Sequence, residues 1–138
     1  MTKETHEAEV YFCLNGDFDP EEITSELGIG PTSQSRKGEK GRYSKELSFS
    51  SWILSTGRVV SDEVDIYDLS EKLISKIDNR KNIIRELVLK HNYQSKLQAV
   101  VLLSSKKDVS TPAIGFSQKV IHFLNQVNAL IDIDLYGH

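Results

Sequence analysis

The stretch Ala8-Glu9-Val10-Tyr11-Phe12-Cys13-Leu14-Asn15-Gly16-Asp17-Phe18-Asp19-Pro20-Glu21-Glu22-Ile23 decides the kind of fold, because the hydrophobic period changes inside it. Ala8, Val10, Phe12 and Leu14 fall on one side and Glu9, Tyr11 and Cys13 on the other, the period-two signature of a strand. Asn15-Gly16-Asp17 turns the chain. Asp19 then stands as N-cap, Pro20 takes the first helical position, and Glu22 sits at N3 as in a capping box. Ile23 and Leu27 form an i, i+4 apolar pair, and Gly28 supplies a left-handed C-cap. A short helix is therefore predicted over 20–27.

Residues 30–45 read as a long polar loop with three glycines, and 46–54 as a strand. In that strand Leu47, Phe49 and Ile53 share one face, with Trp52 and Leu54 on the other. Residues 62–91 are helical, with one apolar stripe through Ile66, Leu69, Leu73, Ile74 and Ile77 and another through Ile83, Ile84, Leu87 and Val88. Asp78-Asn79-Arg80-Lys81 suits a break, which favours two helices. The stripes stay roughly in phase, so one long helix is the alternative. Residues 97–103, nearly all apolar, read as a central strand covered on both faces. A loop over 104–110 and a short strand over 112–116 follow. Ser117 then caps a helix carrying Val120, Ile121, Leu124 and Val127, and 130–136 closes the chain as a strand.

Strands and helices mix without a regular βα repeat. This favours an α+β two-layer sandwich: a mainly antiparallel sheet of about five strands with three to four helices packed on it. Residues 1–7 read as a flexible tail and 8–138 as a single domain, with no internal repeat. A chain of 138 residues buries roughly two-thirds of its unfolded surface, so no disulfide or metal staple is needed.

Seventeen basic and 20 acidic side chains give a net charge of −3, unlike a general nucleic-acid binder. The charge is segregated. Residues 1–26 carry one lysine against eight carboxylates, and 30–45 carry Arg36, Lys37, Lys40, Arg42 and Lys45 against Glu39. Such a sign change either steers a partner or marks two solvated segments. No apolar run reaches the ~18 residues that span a bilayer, and the polar N-terminus is no signal peptide. The expected location is the cytosol. Cys13, the only cysteine, permits no intramolecular disulfide and no cysteine-based zinc site, and its apolar run makes it a small buried hydrophobe.

Motif matching yields no catalytic centre. Counted from Asp17 as a calcium loop, position six is Glu22 and position twelve is Gly28, so the ligand pattern fails. Gly28-Ile29-Gly30-Pro31 cannot be a phosphate nest, since Pro31 lacks an N–H. His6, His91, His122 and His138 contain no i, i+4 pair, His6 and His138 being placed in tails. Gly-X-Ser-X-Gly is absent. Asp132 and Asp134 share one strand face about 6.6–7 Å apart. They either hold a cation or an arginine, or mark a solvent-facing edge where charge deters aggregation. Trp52 is either core or, beside the basic loop, the stacking wall of a pocket.

The opening strand, Gly16-Asp17-Phe18-Asp19-Pro20-Glu21-Glu22-Ile23-Thr24, Leu27-Gly28-Ile29 with Pro31, Gly38, Ser51-Trp52, and the closing Ile131-Asp132-Ile133-Asp134-Leu135-Tyr136 together resemble domain-of-unknown-function family 4279. The resemblance covers about residues 8–136. It implies a small bacterial cytosolic α+β protein and no activity. Its recurring positions match Gly38, Trp52, Asp132 and Asp134. By analogy its small form is similar to immunity proteins that neutralise secreted toxins.

Three functional expectations follow. The first is a non-enzymatic protein-binding module using the basic 36–45 loop and the acidic strand face. The second is a small anionic ligand site lined by Arg36, Arg42, Trp52, Asp132 and Asp134, with cations gripping the anion and Trp52 stacking, and Gly38 is a further ligand- or partner-binding position that the resemblance implies. The third is a metal-dependent hydrolase at Asp132 and Asp134, for which no third ligand or base is identified. No cofactor and no membrane partner is expected.

Overall fold

The structure, a computed structural model, describes residues 5–43 and 45–137. The period-two segment forms β1 (His6–Gly16), and the capped segment forms α1 (Pro20–Leu27). There follow β2 (Ser33–Ser35), β3 (Ser50–Ser55), β4 (Val59–Ser61), α2 (Ile66–Ser75), α3 (Lys81–His91), β5 (Gln94–Leu102), α4 (Gln118–Gln126) and β6 (Ala129–Tyr136). Asp19 caps α1 by accepting the Glu21 N–H at 3.0 Å. Gly28, at φ 70°, donates its N–H to Thr24 O at 2.8 Å, a left-handed stop that glycine adopts without strain.

The sheet runs β2-β3-β1-β5-β6, with β4 also pairing β1. All pairings are antiparallel except β5–β6, which is parallel. The fold is therefore α+β, with a mostly antiparallel sheet and four α-helices among the described residues, as the element order predicts. Register sets the faces. Ala8, Val10, Phe12 and Leu14 align with Val101, Ala99, Leu97 and Ser95 on β5, and Phe12 and Leu14 with Leu54 and Trp52 on β3. These residues are buried with Ile23, Leu27, Leu73, Ile74, Ile84, Val88, Phe123 and Leu124 from the helices. Phe12 meets Phe123 of α4 edge to face, ring centroids 5.6 Å apart. The helices thus cover one face of the sheet.

Several sequence expectations are corrected. The strand begins at His6, not at Ala8, and His6 and Glu7 are buried rather than in a tail. Residues 1–4 and His138 lie outside the described residues. His6 Nδ1 accepts the Ser104 N–H at 2.8 Å, so Nε2 carries the proton and donates to Ser110 O at 2.6 Å. The strand thereby anchors the 104–110 loop, a long-range tie no local pattern encodes.

The predicted strand over 46–54 starts at Ser50, because the backbone of residues 45–47 pairs with that of residues 38–41 instead. Gly38 N–H donates to Leu47 O at 2.9 Å, Leu47 N–H to Glu39 O at 2.8 Å, and Gly41 N–H to Lys45 O at 2.6 Å. The loop expected over 30–45 also contains β2, and β4 was unforeseen; both are three residues long, too short for a periodicity signal. The short strand expected over 112–116 reduces to one bridge, Asp65 to Ala113, beside a proline that cannot donate. Residues 66–91 form two helices separated at Asp78–Arg80 by a 3-10 turn.

Candidate functional site

With the helices on one face, the opposite face of the sheet carries the other half of each alternation. Across it lie two rows, Ser55–Tyr11–Gln98–Asp132 and Glu9–Val100–Asp134. A chain of polar bonds fixes these side chains. Gln98 Nε2 donates to Asp134 Oδ2 at 2.7 Å, and Ser55 Oγ donates to Glu9 Oε2 at 2.6 Å. Asn15 Oδ1 accepts from Ser51 Oγ at 2.7 Å and from Cys13 Sγ at 3.1 Å, while its Nδ2 donates to Gln94 Oε1 at 3.0 Å. Arg58 pairs with Glu7, and both line a 230 Å³ recess together with Ala8, Glu9, Val100 and Leu102.

The acidity of this face is visible in Tyr11. Burial pushes its hydroxyl pKa up, and the charges of Cys13, Glu9, Asp134 and Asp132 push it further. Burial also raises the Cys13 thiol, against the opposing pull of Lys96 and the Asn15 bond. A raised thiol is a poor nucleophile at neutral pH.

β6 is the edge strand on this side. Leu130, Ile131, Ile133, Leu135 and Tyr136 are 56%, 43%, 39%, 55% and 53% exposed, five large apolar side chains within eight consecutive residues. Ile131, Ile133 and Leu135 align with the buried Leu97, Ala99 and Val101 and so face the helix side, yet the helix layer stops short of them. Asp132 is exposed and Asp134 half-buried on the other face, as the alternation of the closing strand predicts.

The expected ligand site is not assembled. Arg36 and Gly38 follow β2 at one edge of the sheet, and Asp132 and Asp134 lie on β6 at the other. Four strand spacings, roughly 19 Å, separate the two edges. Arg36 is engaged locally: Nη1 lies 2.6 Å from Asp19 Oδ1, Nη2 3.2 Å from Glu21 Oε1, and Nε 4.0 Å from Glu39 Oε1. Lys37 Nζ reaches Asp17 Oδ2 at 3.1 Å. The opposed charges of the two segments therefore meet within the molecule. Gly38, at φ +90°, lies in the turn in which Glu39 N–H donates to Arg36 O at 3.2 Å, and Arg42 stacks 5.9 Å from the Tyr43 ring. Trp52 is fully buried, its Nε1 donating to Thr24 Oγ1 at 3.0 Å. It is a core anchor between β3 and α1, not a pocket wall. Among the described residues no group of three or more His, Cys, Asp or Glu is placed to hold a metal, so Asp132 and Asp134 gain no third ligand there.

Sequence reasoning found Asp132 and Asp134 but missed Glu9, Tyr11 and Gln98 beside them. The alternation already sets Glu9 and Tyr11 opposite the core residues of β1. What it cannot supply is the register that brings β1, β5 and β6 side by side.

These features define a small α+β protein with one helix-covered sheet face, one bare polar face and one apolar edge strand. The chain matches the family described as Domain of unknown function (DUF4279) over residues 4–138 and belongs to it. No curated protein and no solved structure matches. No helix among the described residues is long and apolar enough to cross a membrane.

Proposed function

We propose that the protein is a non-enzymatic protein-binding module that presents β6 and the adjoining acidic sheet face to its partner. The observation that supports this reading is the exposure of Leu130, Ile131, Ile133, Leu135 and Tyr136 along one edge. Long apolar edge strands invite pairing, and proteins usually shorten, charge or cover them. The opposite edge follows that rule: β2 is three residues of Ser-Gln-Ser. β6 keeps eight residues and an apolar contour, which a binding surface requires and an isolated chain does not. The basic 36–45 segment contributes less than its sequence suggests, because Arg36 and Lys37 are committed to Asp19, Glu21 and Asp17.

Site-specific photocrosslinking tests the reading. A photoreactive residue at Leu130 or Leu135 should capture a discrete protein band in a lysate of the source cell. The same probe at Leu89, an exposed leucine on α3, should not. Identical capture patterns at all three positions would refute the assignment of the surface.

A further inference from the structure

We propose that the partner docks by strand addition to β6, and that the added strand is basic, alternating apolar residues with lysine or arginine. This rests on the protein-binding reading above and adds the geometry and chemistry of the partner.

The backbone supplies the first part. Tyr136 O accepts the N–H of Leu103, just beyond β5, at 2.7 Å, so the main-chain groups of Tyr136 point toward β5. Successive residues of an extended strand point their N–H and C=O groups to opposite edges. The groups of Leu130, Asp132 and Asp134 therefore share the direction of Tyr136, and those of Ile131, Ile133 and Leu135 point outward. Among the described residues no strand pairs with that outer edge.

The side chains supply the second. A strand laid along β6 sets its own residues beside Asp132 and Asp134 on the open face, and beside Ile131, Ile133 and Leu135 on the helix side. The apolar row asks for apolar neighbours, and the two carboxylates ask for cations. Gln98 holds Asp134 in place by its 2.7 Å bond, so that acceptor is oriented before any partner arrives.

Charge also decides against a second copy of the chain. Two identical edges related by a two-fold axis pair antiparallel, with outward-pointing residues opposite one another. Three registers use at least two of Ile131, Ile133 and Leu135 from each chain. The first sets Asp132 against Asp132, the second Asp132 against Asp134, and the third Asp134 against Asp134. Like charges directly opposite destabilise a pair, so each of these registers is opposed by the residues that welcome a basic strand. The same two carboxylates exclude self and admit the complement.

The test uses the full chain and two disulfide-cyclised hairpin peptides, whose fixed shape removes most of the ordering cost of a linear peptide. The free strand of one reads Val-Lys-Val-Lys-Val, and of the other Val-Glu-Val-Glu-Val. Fluorescence anisotropy should show the basic hairpin binding and the acidic one not, with binding weakened as salt rises from about 0.05 to 0.5 M. The double variant Asp132→Asn, Asp134→Asn should lose about tenfold in affinity for the basic hairpin at unchanged melting temperature. Ile133→Pro removes an outward N–H and one side chain of the apolar row but no bond to β5, and should abolish binding with the fold intact by circular dichroism. Equal binding of both hairpins, or unchanged affinity in the double variant, overturns the basic partner. Binding that survives Ile133→Pro in a folded protein, or no binding of either hairpin, overturns strand addition. Self-association of the unmodified chain by sedimentation, lost in Ile133→Pro, overturns the charge argument. None of these outcomes touches the photocrosslinking result, which judges the binding reading by itself.

Discussion

Trp52 shows how much one indole can hold when it is core and not site. It is fully buried and bonded to Thr24, so Trp52→Phe should lower the unfolding free energy by about 1–2 kcal/mol in urea titration, combining a lost hydrogen bond and a small void. Binding of the basic hairpin should be unchanged, because Trp52 faces the helices. Loss of binding in a folded variant would place Trp52 in the site after all. Tyr11 carries the pH prediction. Its folded pKa lies above the usual 10.0, first from burial and then from neighbouring negative charge. The unfolded chain therefore releases this proton at lower pH than the native one does. The contribution is intact below about pH 10 and is lost as pH rises through the raised native value. Tyr11→Phe should flatten the alkaline fall of the urea midpoint above about pH 10, and an unchanged slope would assign the fall to other groups.

At the scale of elements, the acidic cap of α1 and the basic segment after β2 are one unit. Asp19 accepts the Glu21 N–H and also faces Arg36, both at the helix N-terminus. Asp19→Ala should cost about 1 kcal/mol through the lost cap. Arg36→Ala should cost less, since the Asp19 and Arg36 side chains are each 40% exposed and their pair is screened by water. A double-mutant cycle in urea should give a coupling below about 1 kcal/mol, and a larger value would make the pair, not the cap, the main support of this corner. Elements of this kind were legible in proportion to their local signal. α1 was readable to the residue, because Asp19, Pro20 and Gly28 act on their own neighbours. The break at Asp78–Arg80 was readable from composition. β2, β4 and the 38–47 pairing were not, because their bonds are made to distant or glycine-rich partners that leave no period.

For the molecule as a whole, sequence reasoning reached the architecture and half of the candidate surface. The irregular order of elements pointed to α+β, and the alternation of 130–136 put Asp132 and Asp134 together. It could not say that β2 and β6 are opposite edges, and so it merged Arg36 with Asp134 into one imagined pocket. Strand order comes from the sum of long-range packing, and a helix layer that stops short of β6 is a property of no single segment.

The place of β1 has a further consequence. It pairs with β3, β4 and β5, the last in a register that joins Glu7 to Leu102 and Asn15 to Gln94. The strand at the centre of the sheet thus leaves the ribosome before every strand it pairs with, and one whole edge of it waits until residue 102 has been made. Contacts of such sequence separation form slowly. Until residues 95–99 have been made Val10, Phe12 and Leu14 have no sheet neighbour on the β5 side, so the nascent chain carries its central strand half-paired through that interval.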